Sequence, residues 1–195
     1  MPKVLVLIIV ALTTWAFMLF NRNMFKGEKP NTASWNLWVL LTVVNTSSYF
    51  TMNGDWMKLS LPLTDAVLCL VTWLLALLLG RFQLPPRRDY LPIGLTIGAL
   101  IIWKVSSASD ANMFTQVPFL ISFIPSFTHA RNGEVEAKPW VIWTVSFVLN
   151  ILLVSIRNSG WHDFVYPVLA TVLHGAVAVI ALRYPRKLQT PELLT

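Results

Sequence analysis

SWNLWVLLTVVN, residues 34–45, and PWVIWTVSFVLN, residues 139–150, carry Trp, Trp and Asn at the same three places in otherwise different apolar runs. A constant offset of 105 (140 − 35) continues the match without a gap from Trp35–Leu79 onto Trp140–Tyr184. Eleven of the 45 positions are identical, among them Trp35/Trp140, Trp38/Trp143, Asn45/Asn150, Asn53/Asn158, Trp56/Trp161 and Pro62/Pro167. Leu and Val recur by chance in such a composition; three Trp, two Asn and one Pro do not. Gly27-Glu28 and Gly133-Glu134 carry the correspondence into the preceding loop, where the offset becomes 106 (133 − 27). The period implies a duplicated unit.

What that unit is follows from hydropathy. Of the 195 residues, 55% are hydrophobic and 12% charged, against roughly 25% charged in a soluble domain. Seven apolar runs stand out: Val4–Phe20, Trp35–Met52, Pro62–Gly80, Tyr90–Val105, Ala111–Phe127, Trp140–Ile156 and Phe164–Leu182. With one or two flanking residues each reaches the ~20 that a helix needs to cross hydrocarbon. The expected fold is all-α and polytopic, with seven transmembrane helices in a 3+1+3 arrangement. Residues 1–80 form a first three-helix bundle, 81–110 a linker helix, 111–184 a second bundle and 185–195 a cytoplasmic tail. A unit of three spans ends on the side opposite its start. The single linker therefore makes the two copies parallel, one of the repeat classes found in transporters. The first run is read as a retained helix rather than a cleaved leader, because no small-x-small site follows Phe20.

Charge gives an orientation. The loops after runs one, three and five and the tail hold eleven basic residues (Arg22, Lys26, Lys29, Arg81, Arg87, Arg88, Arg131, Lys138, Arg183, Arg186, Lys187), and the other side holds four (Lys3, Lys58, Lys104, Arg157). This bias puts the N-terminus outside and the C-terminus in the cytoplasm of a cell (inner) membrane. It also accounts for the net charge of +6 without a nucleic-acid partner. Trp35, Trp56, Trp140 and Trp161, near run ends, are expected at the headgroup level.

Inside the runs, Trp35, Trp38, Thr42, Asn45 and Tyr49 share one helical stripe, as do Trp140, Trp143, Phe147, Asn150 and Val154. Ten residues from the stripe's start put Asn45 and Asn150 about 15 Å deep, near mid-membrane. An amide there must face protein or a wet cavity. Interhelical bonding and contact with a solute both satisfy that demand. Asp65, Cys69 and Thr72 fall on the inward face of the third helix, and Ala170, His174 and Val177 on that of the seventh. Trp38 and Trp143 suit either core packing or a stacking wall. Pro62, Pro125 and Pro167 are the hinge candidates, Pro62 and Pro167 marking matched helix starts.

No metal-ligand spacing, phosphate loop or nucleophile–base set is present, so neither an enzyme nor a cofactor or metal site is expected. The function expected is alternating-access transport of a small polar, uncharged solute held by Asn45, Asn150, Trp38, Trp143, His174, Cys69 and Asp65. A sugar or nucleoside-like vitamin would fit such a pocket. A ligand-binding receptor or trafficking protein is the alternative, as is a structural subunit docked through Gly94 and Gly98. The partners are the bilayer and the solute, with association to a second copy left open.

KPNTASWNLW, the later GDW and LP, and ISFIPSF with EAKPWVIW resemble small bacterial membrane proteins of the PQ-loop superfamily, which includes SWEET, semiSWEET and Pnu-type transporters. Pro125-Ser126 stands where the second copy would carry the naming Pro-Gln pair, and Leu19-Phe20 stands there in the first. The resemblance implies a mid-membrane cavity between two bundles, lined by Trp and Asn. Trp38, Asn45, Trp143 and Asn150, with Cys69 and His174 at comparable depth, match that lining. An outside N-terminus is implied as well.

Overall fold

The computed structural model describes residues 1–25, 32–79, 87, 90–157 and 160–185. Lys26, Lys29, Arg81, Arg88, Arg186, Lys187, the Gly27-Glu28 match, Gly80 and Asn158 lie outside them. The described residues form eight α-helices: α1 (Pro2–Phe25), α2 (Thr32–Asn53), α3 (Trp56–Leu78), α4 (Tyr90–Val105), α5 (Ala108–Ser122), α6 (Ile124–Arg131), α7 (Ala137–Ile156) and α8 (His162–Arg183). No strand occurs among them.

Four helices, α1, α3, α7 and α8, are long and apolar enough to cross a membrane, and α4 is a shorter apolar helix. The second expected span, α2, carries Asn36, Thr42, Asn45, Thr46, Ser47, Ser48 and Thr51 within its length. Those side chains lower its hydropathy, and most of them turn inward. The fifth expected span is two helices. Phe123 separates α5 from α6, and Pro125 follows at the second residue of α6, where it has no backbone N–H to contribute.

The prolines expected to start the third and seventh spans lie inside their helices instead. The local reason is visible at α3. Gly54 takes φ +60, a left-handed conformation suited to glycine, and its N–H closes α2 by donating to the Phe50 carbonyl at 2.8 Å. Asp55 then caps α3, its Oδ1 accepting from the Met57 N–H at 2.9 Å. Capping two turns ahead of Pro62 moves the start back to Trp56.

Packing follows a consistent order. α1 packs on α3 and α3 on α2; the α5–α6 pair packs on α8 and α8 on α7. Two seams join these groups, α1 with α7 and α2 with α5. α4 lies against α5 and α2, with Gly98 facing the Phe114 ring. Side-chain bonds fix which ends meet. At one end Asn23 donates to Glu136 at 2.7 Å, Thr72 to Asn21 at 3.0 Å and the Trp73 indole to Asn36 at 2.5 Å. At the other, Lys58 and Asp163, in the first turns of α3 and α8, pair at 2.9 Å, and Arg157 pairs with Asp55 at 2.8 Å.

Apolar side chains cover the outside, among them Leu7, Met18, Val67, Ile101, Val148, Val172 and Val179. Trp56 and Trp161 are exposed, in keeping with an interfacial position, but Trp35 and Trp140 are not. Both are buried, their rings held among Phe17, Phe20, Trp38, Phe123 and His174. They are core residues because aromatic partners from the neighbouring helices enclose them.

Candidate functional site

Trp38 and Trp143 face the two seams. On one side the Phe17 ring lies against Trp35 (6.2 Å between centroids) and Trp143 (5.0 Å). On the other Phe123 lies against Trp140 (6.1 Å) and Trp38 (5.1 Å). With 123 − 17 = 106 and 140 − 35 = 105, each of these contacts is the repeat image of another. His174 sits among Trp38, Phe123, Trp140, Trp143 and Phe147 at 4.8–6.3 Å. Its Nδ1–H donates to the Ala170 carbonyl at 2.8 Å, since a carbonyl can only accept. Together these rings seal the end of the molecule at which α2 and α7 begin.

Asn45 lies two turns along α2 from Trp38, in the α2–α5 seam. Asn112 Nδ2 donates to its carbonyl at 3.2 Å, to its Oδ1 at 3.0 Å and to Ser48 at 3.1 Å. Gln116 Nε2 donates to Asn45 Oδ1 at 3.0 Å and to the Asn112 carbonyl at 2.9 Å. Both amide orientations are fixed by a backbone carbonyl, which leaves Asn112 Oδ1 and Gln116 Oε1 without a protein partner. Asn150 occupies the same place on α7, two turns from Trp143. The structure does not join it to Asn45.

Asp65 and Tyr166 connect α3 to α8, the tyrosine hydroxyl donating to Asp65 Oδ2 at 3.0 Å. Cys69, a turn further on, is a free buried thiol. Between Thr42, Asn45, Thr115, Gln116 and Tyr166 lies a small cavity of about 10 Å³. That is room for about one water, far below the ~300–1,000 Å³ of a pocket for an organic ligand.

The second end is sealed by charge. Lys58 and Asp163 are 7% and 3% exposed, Tyr49 faces Asp163, and Asp55 with Arg157 extends the cluster outward. Burial pushes the Asp55 carboxyl up, but hydrogen bonds from Arg157 and the Met57 amide outweigh it and hold the group below the usual range.

Of the hinge candidates, Pro125 adjoins the α5–α6 break, while Pro62 and Pro167 lie within the first two turns of α3 and α8. The Pro62 carbonyl accepts a bond from Thr46 at 2.9 Å, which ties α2 to that turn. No group of His, Cys, Asp or Glu among the described residues could hold a metal.

Residues absent from the repeat's identities complete the site: Thr13, Phe17, Asn112, Gln116, Phe123, Ser146, Lys58 and Asp163. Opposite charges at positions 105 apart (163 − 58) were the available signal for the ion pair. No family model, no curated protein and no solved structure matches the chain.

Proposed function

We propose that the chain is a membrane transporter or facilitator of a small polar, uncharged solute, with seven spans arranged as two parallel three-helix copies about a linker. The equivalent helix orders, the paired seams and the meeting of the first turns of α3 and α8 all support that arrangement. The observation that carries transport is the polar interior. Trp38 Nε1, Asn112 Oδ1, Gln116 Oε1 and Asn150 Nδ2, with the hydroxyls of Thr13 and Ser146, are buried without a protein partner. Each such group costs about 1–3 kcal/mol, and a static bundle has no use for six. A polar solute at mid-depth supplies partners to groups of this kind.

The two closed ends then act as gates. Opening one side separates Lys58 from Asp163; opening the other withdraws Phe17 and Phe123 from the tryptophans. Without such movement the cavity beside Asn45 has room for about one water. The experiment is uptake of radiolabelled glucose and uridine into proteoliposomes. Asn150→Ala lowers uptake about tenfold or more, the worth of one buried hydrogen bond to the solute. Uptake equal to wild type would remove Asn150 from the path.

A further inference from the structure

The two seams differ one helical turn at a time. In the α2–α5 seam, Leu41 and Phe119 are apolar, and the next turn of α5 supplies Gln116 and Asn112 to Asn45. The equivalent positions in the α1–α7 seam are Ser146 (146 − 41 = 105), Thr13 (119 − 13 = 106), Val10 (116 − 10 = 106) and Val6 (112 − 6 = 106). Polar and apolar have exchanged places. Asn45 is therefore plugged by amides of its own chain, whereas the positions equivalent to those amides on the Asn150 side are valines, and Asn150 keeps an unpartnered N–H.

We infer that the α1–α7 seam is the half of the site that holds the solute, and that Thr13, Ser146 and Asn150 there bind an acceptor oxygen, carbonyl or hydroxyl, of a neutral molecule. This deepens the transport reading and rests on it. The placement follows from packing. Asn23 meets Glu136 and Phe17 meets Trp143, so α1 and α7 run antiparallel with residue numbers that sum to about 160. That register sets Thr13 level with Ser146. Thr13 lies one turn from Phe17 on the face that meets α7. Ser146 and Asn150 follow Trp143 at three and seven residues on the face that meets α1.

The chemistry follows from which atoms lack partners. Asn150 Nδ2 can only donate, and each hydroxyl can donate once, so all three can serve acceptor atoms. None has any exposure above 2%. No charged side chain is buried on either helix, so an anion would enter with nothing to balance it. A neutral molecule carrying oxygen acceptors meets these donors without that penalty.

The test is thermal unfolding of the purified full chain, alone and with glucose or uridine in excess, together with proteoliposome uptake of the same two solutes. The variants are Thr13→Val with Ser146→Ala, and Asn112→Leu with Gln116→Leu. Expected for Thr13→Val/Ser146→Ala is a solute-free melting temperature at or above that of wild type, because unpartnered hydroxyls are removed, and loss of the solute-induced rise and of uptake by about tenfold or more. A lower solute-free melting temperature would mean that the hydroxyls already have partners, which overturns the inference while leaving transport standing. So would a solute-induced rise that persists in Thr13→Val/Ser146→Ala and vanishes in Asn112→Leu/Gln116→Leu, since the solute would then lie in the other seam. If neither solute shifts or enters the wild type, the acceptor assignment and the transport reading for these solutes both fail.

Discussion

Neutralising Asp163 alone, as Asp163→Asn, strands the Lys58 ammonium at a site that is 7% exposed and 2.9 Å from that carboxylate. Breaking a buried pair from one side costs about 3–5 kcal/mol. At about 2–4 °C per kcal/mol for a chain of this size, the melting temperature falls by about 6–20 °C. Lys58→Met behaves similarly, because it removes the counter-ion of the buried Asp163 carboxylate. Lys58→Met with Asp163→Leu removes both charges and returns to within about 4 °C of wild type or above it, since apolar replacement of a buried pair is often neutral or stabilising. The assay is tryptophan fluorescence during heating of all four proteins in one detergent, read as a double-mutant cycle. Single variants that shift melting by less than about 2 °C, or a double variant that loses the sum of the two, would refute the reasoning, because no coupled buried pair behaves so.

Asn112→Leu removes three donated bonds at once and leaves Asn45 and Ser48 short of partners; stability falls by about 1–3 kcal/mol, measured by the same melting assay, and no loss would mean that the α2–α5 plug is not structural. Asp55 gives a pH dependence whose sign is fixed: its folded pKa is depressed by Arg157 and the Met57 amide despite burial. Its contribution is therefore full above the unfolded value of about 3.9 and is lost as pH falls through the folded one. Wild type loses stability more steeply than Asp55→Asn below about pH 4, and parallel melting profiles from pH 3 to pH 6 would contradict the Arg157 contact.

Hydropathy located the helices well because a spanning length of apolar residues is a coarse signal that polar loops interrupt. Tyr90–Val105 is bounded identically in sequence and structure. Boundaries failed where a cap decided them, as at Asp55, and the fifth run failed at Phe123, where Pro125 breaks the backbone ladder. The stripe of Trp38, Asn45, Trp143 and Asn150 was legible because the repeat kept those residues identical. The groups that complete it were not, because they are where the copies differ: Thr13 against Phe119, Ser146 against Leu41, Lys58 against Asp163. A search for likeness between halves passes over the positions at which one half answers the other. Trp35 and Trp140 were misplaced for a simpler reason. A Trp near a run end looks alike whether lipid headgroups or other aromatics await it.

Lys58 and Asp163 pair with each other at positions 105 apart (163 − 58), the offset of the sequence repeat, so that each stands where the other would in the opposite copy. Two separate chains of identical sequence, associating in the same way, would bring ammonium against ammonium or carboxylate against carboxylate there, and would repel. The contact therefore requires two partners that differ at this position, as residues 58 and 163 of this chain do. A tandem made of two first halves, or of two second halves, would not close that end, and neither half is a spare for the other.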